Sequence, residues 1–256
     1  LRYYQEAKDA LNIDGKPVIL GPVSFLKLGK RHGAYLDDAA VAELLPQLLP
    51  LYQQVFQELA AAGAQWIQLD EPTLVKTTDS AELVPYRTAL QRLHDAVPGL
   101  KIELQTYFDS LDLYDEIINF PVQAIGLDLI HDHGENLAYL RQSGFPTDKI
   151  LAAGLIDGHN IWASDLTQKF QLVQELQQLV TSDRLWLQPA NSLLHVPITT
   201  ANETKADPVL LGGLAFADQK LQELAVLTQA ANQGVAAVQG AFDRNQANLT
   251  ALNAST

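Results

Sequence analysis

Cysteine is absent from all 256 residues. No disulfide framework, thiolate metal ligand or cysteine nucleophile is therefore available. Methionine is absent too, even at position 1, so the chain reads as a processed product or a piece of something longer. Basic residues are scarce: 17 Lys and Arg face 30 Asp and Glu, a formal net charge of −13. That balance argues against a continuous basic face and hence against nucleic acid as a partner. No run approaches the roughly 18 apolar residues of a membrane span, and no export signal is visible, so the expected location is the cytoplasm with no membrane partner. Neither GxGxxG nor GxxxxGK[ST] occurs, which removes the nucleotide fingerprints. No linker or low-complexity run divides the chain, so residues 1–256 are expected to form a single domain.

What is present is a chain with 47% hydrophobic residues, enough for a sizeable core, in which short apolar runs alternate with periodic helical segments. Strands are expected at 17–20, 66–70, 101–107, 122–129, 150–156 and 184–188. Helices are expected from Tyr3 to Asn12, from Asp37 or Asp38 to Gly63, near 81–96, 112–118 and 135–141, from a cap at Ser164 or Asp165 onward, and beyond Pro208. Residues from Asn248 on read as frayed. Strands apolar on both faces and alternating with helices belong to a parallel sheet covered by helices. The expected fold is α/β, a TIM-type (β/α)8 barrel with about six βα units present. The two units not found would precede the strand at Pro17, leaving an open edge between that strand and the one at Trp186.

The segment Trp66-Ile67-Gln68-Leu69-Asp70-Glu71-Pro72 organises the functional reading. Proline ends the strand, leaving two carboxylates at its carboxyl end, where barrels of this kind carry their chemistry. Every other strand also delivers polar groups to that end. The candidate site residues are Lys27, Lys30, Asp70, Glu71, Tyr107, Asp128, His131, Asn160, Ser192 and His195. The plainer alternative is that loops are polar anyway, and that Asp70-Glu71 is a cap or a salt bridge. Strand alternation places Trp66 and Gln68 with Asp70, and Ile67 and Leu69 with Glu71. A buried carboxylate needs donors, and the Thr106 or Tyr107 hydroxyl or the 101–105 backbone is expected to supply them. The corner is read as mainly structural. His131-Asp132-His133 is a tempting metal hook, but it lacks further converging donors, and no metal is expected.

Ordered segments carry a family resemblance. They are Lys16 to Val23 with Phe25 to Lys30, Leu49 to Val55, Trp66 to Pro72, Thr106-Tyr107-Phe108, Val122 to His131, Ala153 to Trp162 and Ser192 to Pro197. Together they resemble the N-terminal barrel of cobalamin-independent methionine synthases. The resemblance implies two facing barrels with the folate between them. In the C-terminal barrel, zinc held by His, Cys, Glu and Cys activates homocysteine to take the methyl group of 5-methyltetrahydropteroyl-triglutamate. Implied partners are thus that folate (a polyglutamate), homocysteine and the C-terminal barrel. Where the catalytic half has zinc ligands, this chain has Tyr107, Asp109 and Asn191, so no catalytic residue is carried over and no cofactor is expected here. The family's folate-tail contacts lie in the two units not found. Lys27, Lys30 and Arg31 remain as a basic cluster for glutamate-tail carboxylates, or simply as a solvated loop. Two alternatives stay open: a stand-alone hydrolase using Asp70, Glu71 and Asp128 as general acid and base, and a non-catalytic scaffold.

Overall fold

The structure, a computed structural model, describes residues 1–255. In chain order its elements are α1 (Arg2–Leu11), β1 (Val18–Leu20), α2 (Pro22–Lys27), β2 (Lys30–Arg31), β3 (Ala34–Tyr35), α3 (Asp38–Ala61), β4 (Trp66–Asp70), α4 (Val84–Ala96), β5 (Lys101–Gln105), α5 (Tyr114–Ile117), β6 (Ala124–Asp128), α6 (Glu135–Ser143), β7 (Ile150–Ile156), α7 (Leu166–Leu179), β8 (Leu185–Pro189), α8 (Pro208–Gly213), α9 (Ala217–Gln233) and α10 (Gln239–Ala254). Six strands form one sheet in the order β1-β4-β5-β6-β7-β8. Every pairing in that sheet is parallel. The strand order follows the chain order, as in a barrel wall, but β1 and β8 are edges and the sheet does not close. The open edge lies between the strands at Pro17 and Trp186, as the sequence led us to expect.

The two sheet faces differ in chemistry. Toward the helices point Ile67, Leu69, Ile102, Leu104, Ile125, Leu127, Leu151 and Leu155, all completely buried in one apolar cluster with Phe56, Leu90 and Leu176. The opposite, inward face carries Trp66, Gln68 and Asp70 on β4, Glu103 and Gln105 on β5, and Trp186 and Gln188 on β8. The sheet curls enough for inward side chains of separate strands to meet. The Trp66 and Trp186 rings lie 4.7 Å apart edge to face, and Gln188 Nε2 donates to Gln105 Oε1 at 2.5 Å. Gly126 makes room for this: a Cβ there would stand 1.8 Å from Gln105 Oε1.

Three local features depart from the sequence reading. Residues 30–35 form a small antiparallel hairpin rather than a plain loop, turning through His32 and Gly33 at φ 52° and 89°. Its two-residue strands are too short and too exposed to show a periodicity. The helix expected from 81 is a 3₁₀ turn at Ser80–Leu83 running into α4. The tail expected to fray is helical through Ala254. Earlier in that helix Phe242 packs edge to face on Phe170 and Asn245 bonds the backbone of Ser164 and Leu166, and in the tail itself Asn248 and Leu252 lie against Gly212 and Gly213 of α8. Thr256 lies outside the described residues. The caps read from sequence are present at Asp37, which accepts from the Ala40 N–H, and at Asp165, which accepts from Thr167 and Gln168.

Candidate functional site

Adjacent residues at the end of β4 have opposite surroundings. Glu71 is buried on the helix side of the sheet. Its two oxygens accept the backbone N–H groups of Val23 (3.1 Å) and Ser24 (2.7 Å) in the first turn of α2. Burial pushes its carboxyl up to about 7 despite those bonds. Gly21 is required beside it, since a Cβ there would lie 2.2 Å from the Glu71 carboxyl. A buried hydroxyl chain of Ser24, Thr73 and Tyr86 continues from this point. The donors expected for Glu71 from the neighbouring strand are thus replaced by α2. Asp70 lies on the inward face, where it accepts from Gln68 Nε2 at 2.8 Å and from the Tyr107 hydroxyl at 3.3 Å. The Tyr107 donor is one of those anticipated. Burial raises the Asp70 carboxyl above its ordinary range.

Below Asp70 on the inward face, Lys16 pairs with the buried Glu103 and lies 5.3 Å from the centre of the Trp186 ring. Above it, at the ends of β5, β6, β7 and β8, is a rim of rings. Asp128 is fully buried. It accepts from the N–H groups of Phe108, Ile130 and His131, and contacts His131 Nδ1 at 2.8 Å. Asp157 Oδ1 sits 3.4 Å from the other ring nitrogen of His131. Phe108 stacks on His159 at 4.6 Å, which meets His131 at 5.4 Å and His195 at 5.3 Å. Phe108 has φ 80°, a conformation a bulky side chain adopts only when its surroundings impose it. Here the imposing contact is the Phe108 N–H bond to Asp128.

The structure therefore brings Asp70 and Tyr107 together on the inward face, and Asp128, His131 and His195 together on the rim. Asn160 is a turn residue, donating to Asp157 and accepting from the Trp162 N–H. Ser192 likewise accepts from the Leu194 N–H to start a 3₁₀ turn. The basic cluster separates. Lys27 is paired with Asp38 at 3.1 Å and Glu82 at 3.5 Å, whereas Lys30 lies over the Tyr35 ring on the hairpin. Sequence reasoning singled out neither Phe108 as a platform nor the Lys16–Glu103 pair. A positive φ and a contact across 87 residues leave no local sequence signal.

Tyr107, Asp109 and Asn191, the residues that the resemblance set against expected metal ligands, each take part in a hydrogen bond. The Tyr107 hydroxyl donates to Asp70, Asp109 accepts from the Ser110 N–H, and Asn191 Oδ1 accepts from the Gly158 N–H. With no thiolate, this donor set does not fit zinc. His133, at φ 55°, is exposed in the turn before α6 and makes no cluster with His131. Among the described residues, no group of three or more His, Asp or Glu is arranged to hold a metal ion. No helix among them is long and apolar enough to cross a membrane.

Comparison with known proteins adds the following. The N-terminal domain model of the cobalamin-independent synthases matches residues 1–181. A 5-methyltetrahydropteroyltriglutamate–homocysteine methyltransferase of Lactiplantibacillus plantarum is 80% identical over 256 residues, all of this chain. The protein of the same name from Listeria monocytogenes is 48% identical over the same length, and that from Bacillus subtilis 40% over 252 residues, 98% of this chain. The chain spans only about a third of the length of these relatives, 33% for the first two and 32% for the third. In fold it is similar to a B12-independent methionine synthase from Shewanella sp. W3-18-1, solved in complex with selenomethionine. The TM-score is 0.59 at 15% identity, covering 88% of this chain and 66% of that one.

Proposed function

The chain belongs to the cobalamin-independent methionine synthase family, as its N-terminal domain, and from that premise we propose that it forms one wall of the folate cleft in a longer methyltransferase. In this reading the longer protein transfers the methyl group of 5-methyltetrahydropteroyltriglutamate to homocysteine in the cytoplasm. Thiol activation falls to zinc in a C-terminal barrel, because this chain has no thiolate to hold the metal. Two further βα units would complete the wall between β8 and β1. The partners of this domain are that second barrel and the folate.

The observation that carries the reading is the rim: Phe108, His131, His159 and His195 come from four different strand ends and form one continuous set of rings. Flat aromatic ligands are held by such faces. Asp128 and Asp157 fix the His131 ring from both sides. The hydrolase alternative fits poorly. Asp70 and Glu71 lie on opposite faces of the sheet, so they cannot flank one scissile bond, and Asp128 is saturated by backbone donors. The test is His159→Ala in the full-length protein. The expected result is a KM for the folate raised tenfold or more, with homocysteine KM and zinc content unchanged. An unchanged folate KM would refute the proposal.

A further inference from the structure

His159 is the central ring of the rim, touching Phe108, His131 and His195, yet it stands on an exposed stretch of the loop between β7 and α7. A loop keeps a ring in one place only if its backbone is tied down. Two ties lie close to the strand end. The Gly158 N–H donates to Asn191 Oδ1 and the His159 N–H to Asp157 Oδ1, each at 2.7 Å. A third tie comes from 58 residues away. Lys220, on α9 and fully buried, donates from Nζ to the Trp162 carbonyl at 3.1 Å. The Trp162 N–H donates to Asn160 Oδ1 at 2.9 Å, and Asn160 Nδ2 donates to Asp157 Oδ2 at 2.5 Å. Asp157 Oδ1, besides holding the His159 N–H, faces His131 Nε2 at 3.4 Å. A buried lysine is thus linked, bond by bond, to two rings of the rim, and every link is a bond that is made. One turn along α9, Glu223 Oε1 accepts the Ser164 N–H at 2.9 Å and fixes the far end of the same loop. Lysine is almost never fully buried without a partner. Burial pushes the Lys220 ammonium down from its ordinary range, while the carboxylates of Glu223 and Asp157 hold it up. Replacing buried charges by apolar groups of similar volume is often neutral or stabilising, so packing alone does not call for a lysine at this place.

We propose that Lys220 is a positioning residue for the rim: through Trp162, Asn160 and Asp157 it holds His159 and His131 in the arrangement that takes the folate, a role that rests on the reading of the rim as one wall of the folate cleft. Without the ammonium donor the Trp162 carbonyl turns to solvent. Asn160 then loses the N–H that orients its amide, and Asp157 loses the amide that fixes its second oxygen. The loop samples further conformers, and only the fraction with both rings in place binds. Apparent affinity falls by that fraction. Lys220 touches no reacting atom, so the loss is one of binding alone, seen in KM and not in kcat.

Steady-state kinetics on the full-length protein that carries this domain test this. Lys220→Met keeps the unbranched apolar stem and removes the donor and the charge. The folate KM should rise threefold or more, with kcat, homocysteine KM and zinc content unchanged. Asn160→Ala cuts the same chain of bonds in the half-buried loop and should do likewise, whether or not Lys220→Met folds. If Lys220→Met does not fold, Lys220→Gln, one atom shorter and still polar, takes its place with the same expected rise. In the double variant the folate KM should stay within twofold of the higher single variant, because both changes act through one path. His159→Ala is measured alongside. A raised folate KM in His159→Ala with none in the Lys220 variant, or none in Asn160→Ala, would overturn this proposal and leave the rim reading standing. An unchanged folate KM in His159→Ala would overturn the rim reading and this proposal with it. Effects of Lys220 and Asn160 that multiply in the double variant, or an equal loss in homocysteine KM or kcat, would show a general structural role and overturn the proposal too.

Discussion

The two faces of the one sheet obey different rules. The helix-facing side is uniformly Ile, Leu and Ala, fully buried on β4 to β7, half-buried at Ile19, Leu185 and Leu187 on the edge strands, and joined to the helices in one cluster. The inward side, which in closed barrels of this kind is commonly filled by branched aliphatics, carries Trp, Gln, Glu and Asp, with small residues on β6 and β7 giving them room. The helix side is built for stability through apolar area, about 25 cal/mol per Å² removed from water. The inward side is built from polar groups whose bonds are mutual but incomplete: among the described residues, Glu103 Oε1 and Asn191 Nδ2 have no hydrogen-bond partner.

The contrast can be broken at several points. The largest loss is expected from Leu69→Ala on the helix face, roughly 2–5 kcal/mol in a urea titration, because a fully buried leucine leaves a cavity. Next is Glu71→Gln. At pH 5 the carboxyl is the neutral acid, whose hydroxyl oxygen can still face an N–H donor, whereas an amide NH2 in its place sets donor against donor at Val23 or Ser24, so a deficit of about 1–3 kcal/mol is expected. This substitution also has a pH signature. The folded carboxyl titrates near 7 against an ordinary 4.5, so the folded state binds the proton more tightly than the unfolded state. Stability from this group is greatest below pH 4.5 and falls as the pH rises through 7, by on the order of 3 kcal/mol. Glu71→Gln has no such titration, so its deficit should narrow over that window, as melts between pH 5 and 8 would show. Gly126→Ala should cost about 1–2 kcal/mol in the same urea titration, since the Gln105 amide it would strike is buried and held by Gln188 and the Thr106 carbonyl, and must shift.

Much of the architecture was legible because periodicity reports burial. Six strands, their order and the open edge follow from apolar runs between capped helices, and Asp37 and Asp165 are local enough to be read directly. The alternation Trp66-Gln68-Asp70 against Ile67-Leu69-Glu71 was legible for the same reason. The illegible parts depend on distant partners or on backbone angles. Glu71 finds its donors in α2, 47 residues away, and Lys27 is neutralised by Glu82. Phe108 owes its place on the rim to a positive φ. Of the closing helix only the end from Asn248 was misread, because what holds it is distant: Asn248 and Leu252 lie against Gly212 and Gly213 of α8.

The account turns on one adjacent pair, Asp70 and Glu71, and a urea denaturation at pH 5 of Asp70→Asn beside Glu71→Gln tests it most directly. Asp70→Asn is near-isosteric, keeps an acceptor for Gln68 or Tyr107 and removes a charge that burial disfavours. It should stay within about 0.5 kcal/mol of the unmodified chain, while Glu71→Gln loses at least about 1 kcal/mol. Equal losses for the two variants, or a larger loss for Asp70→Asn, would contradict the division between a stabilising face and a polar inward face.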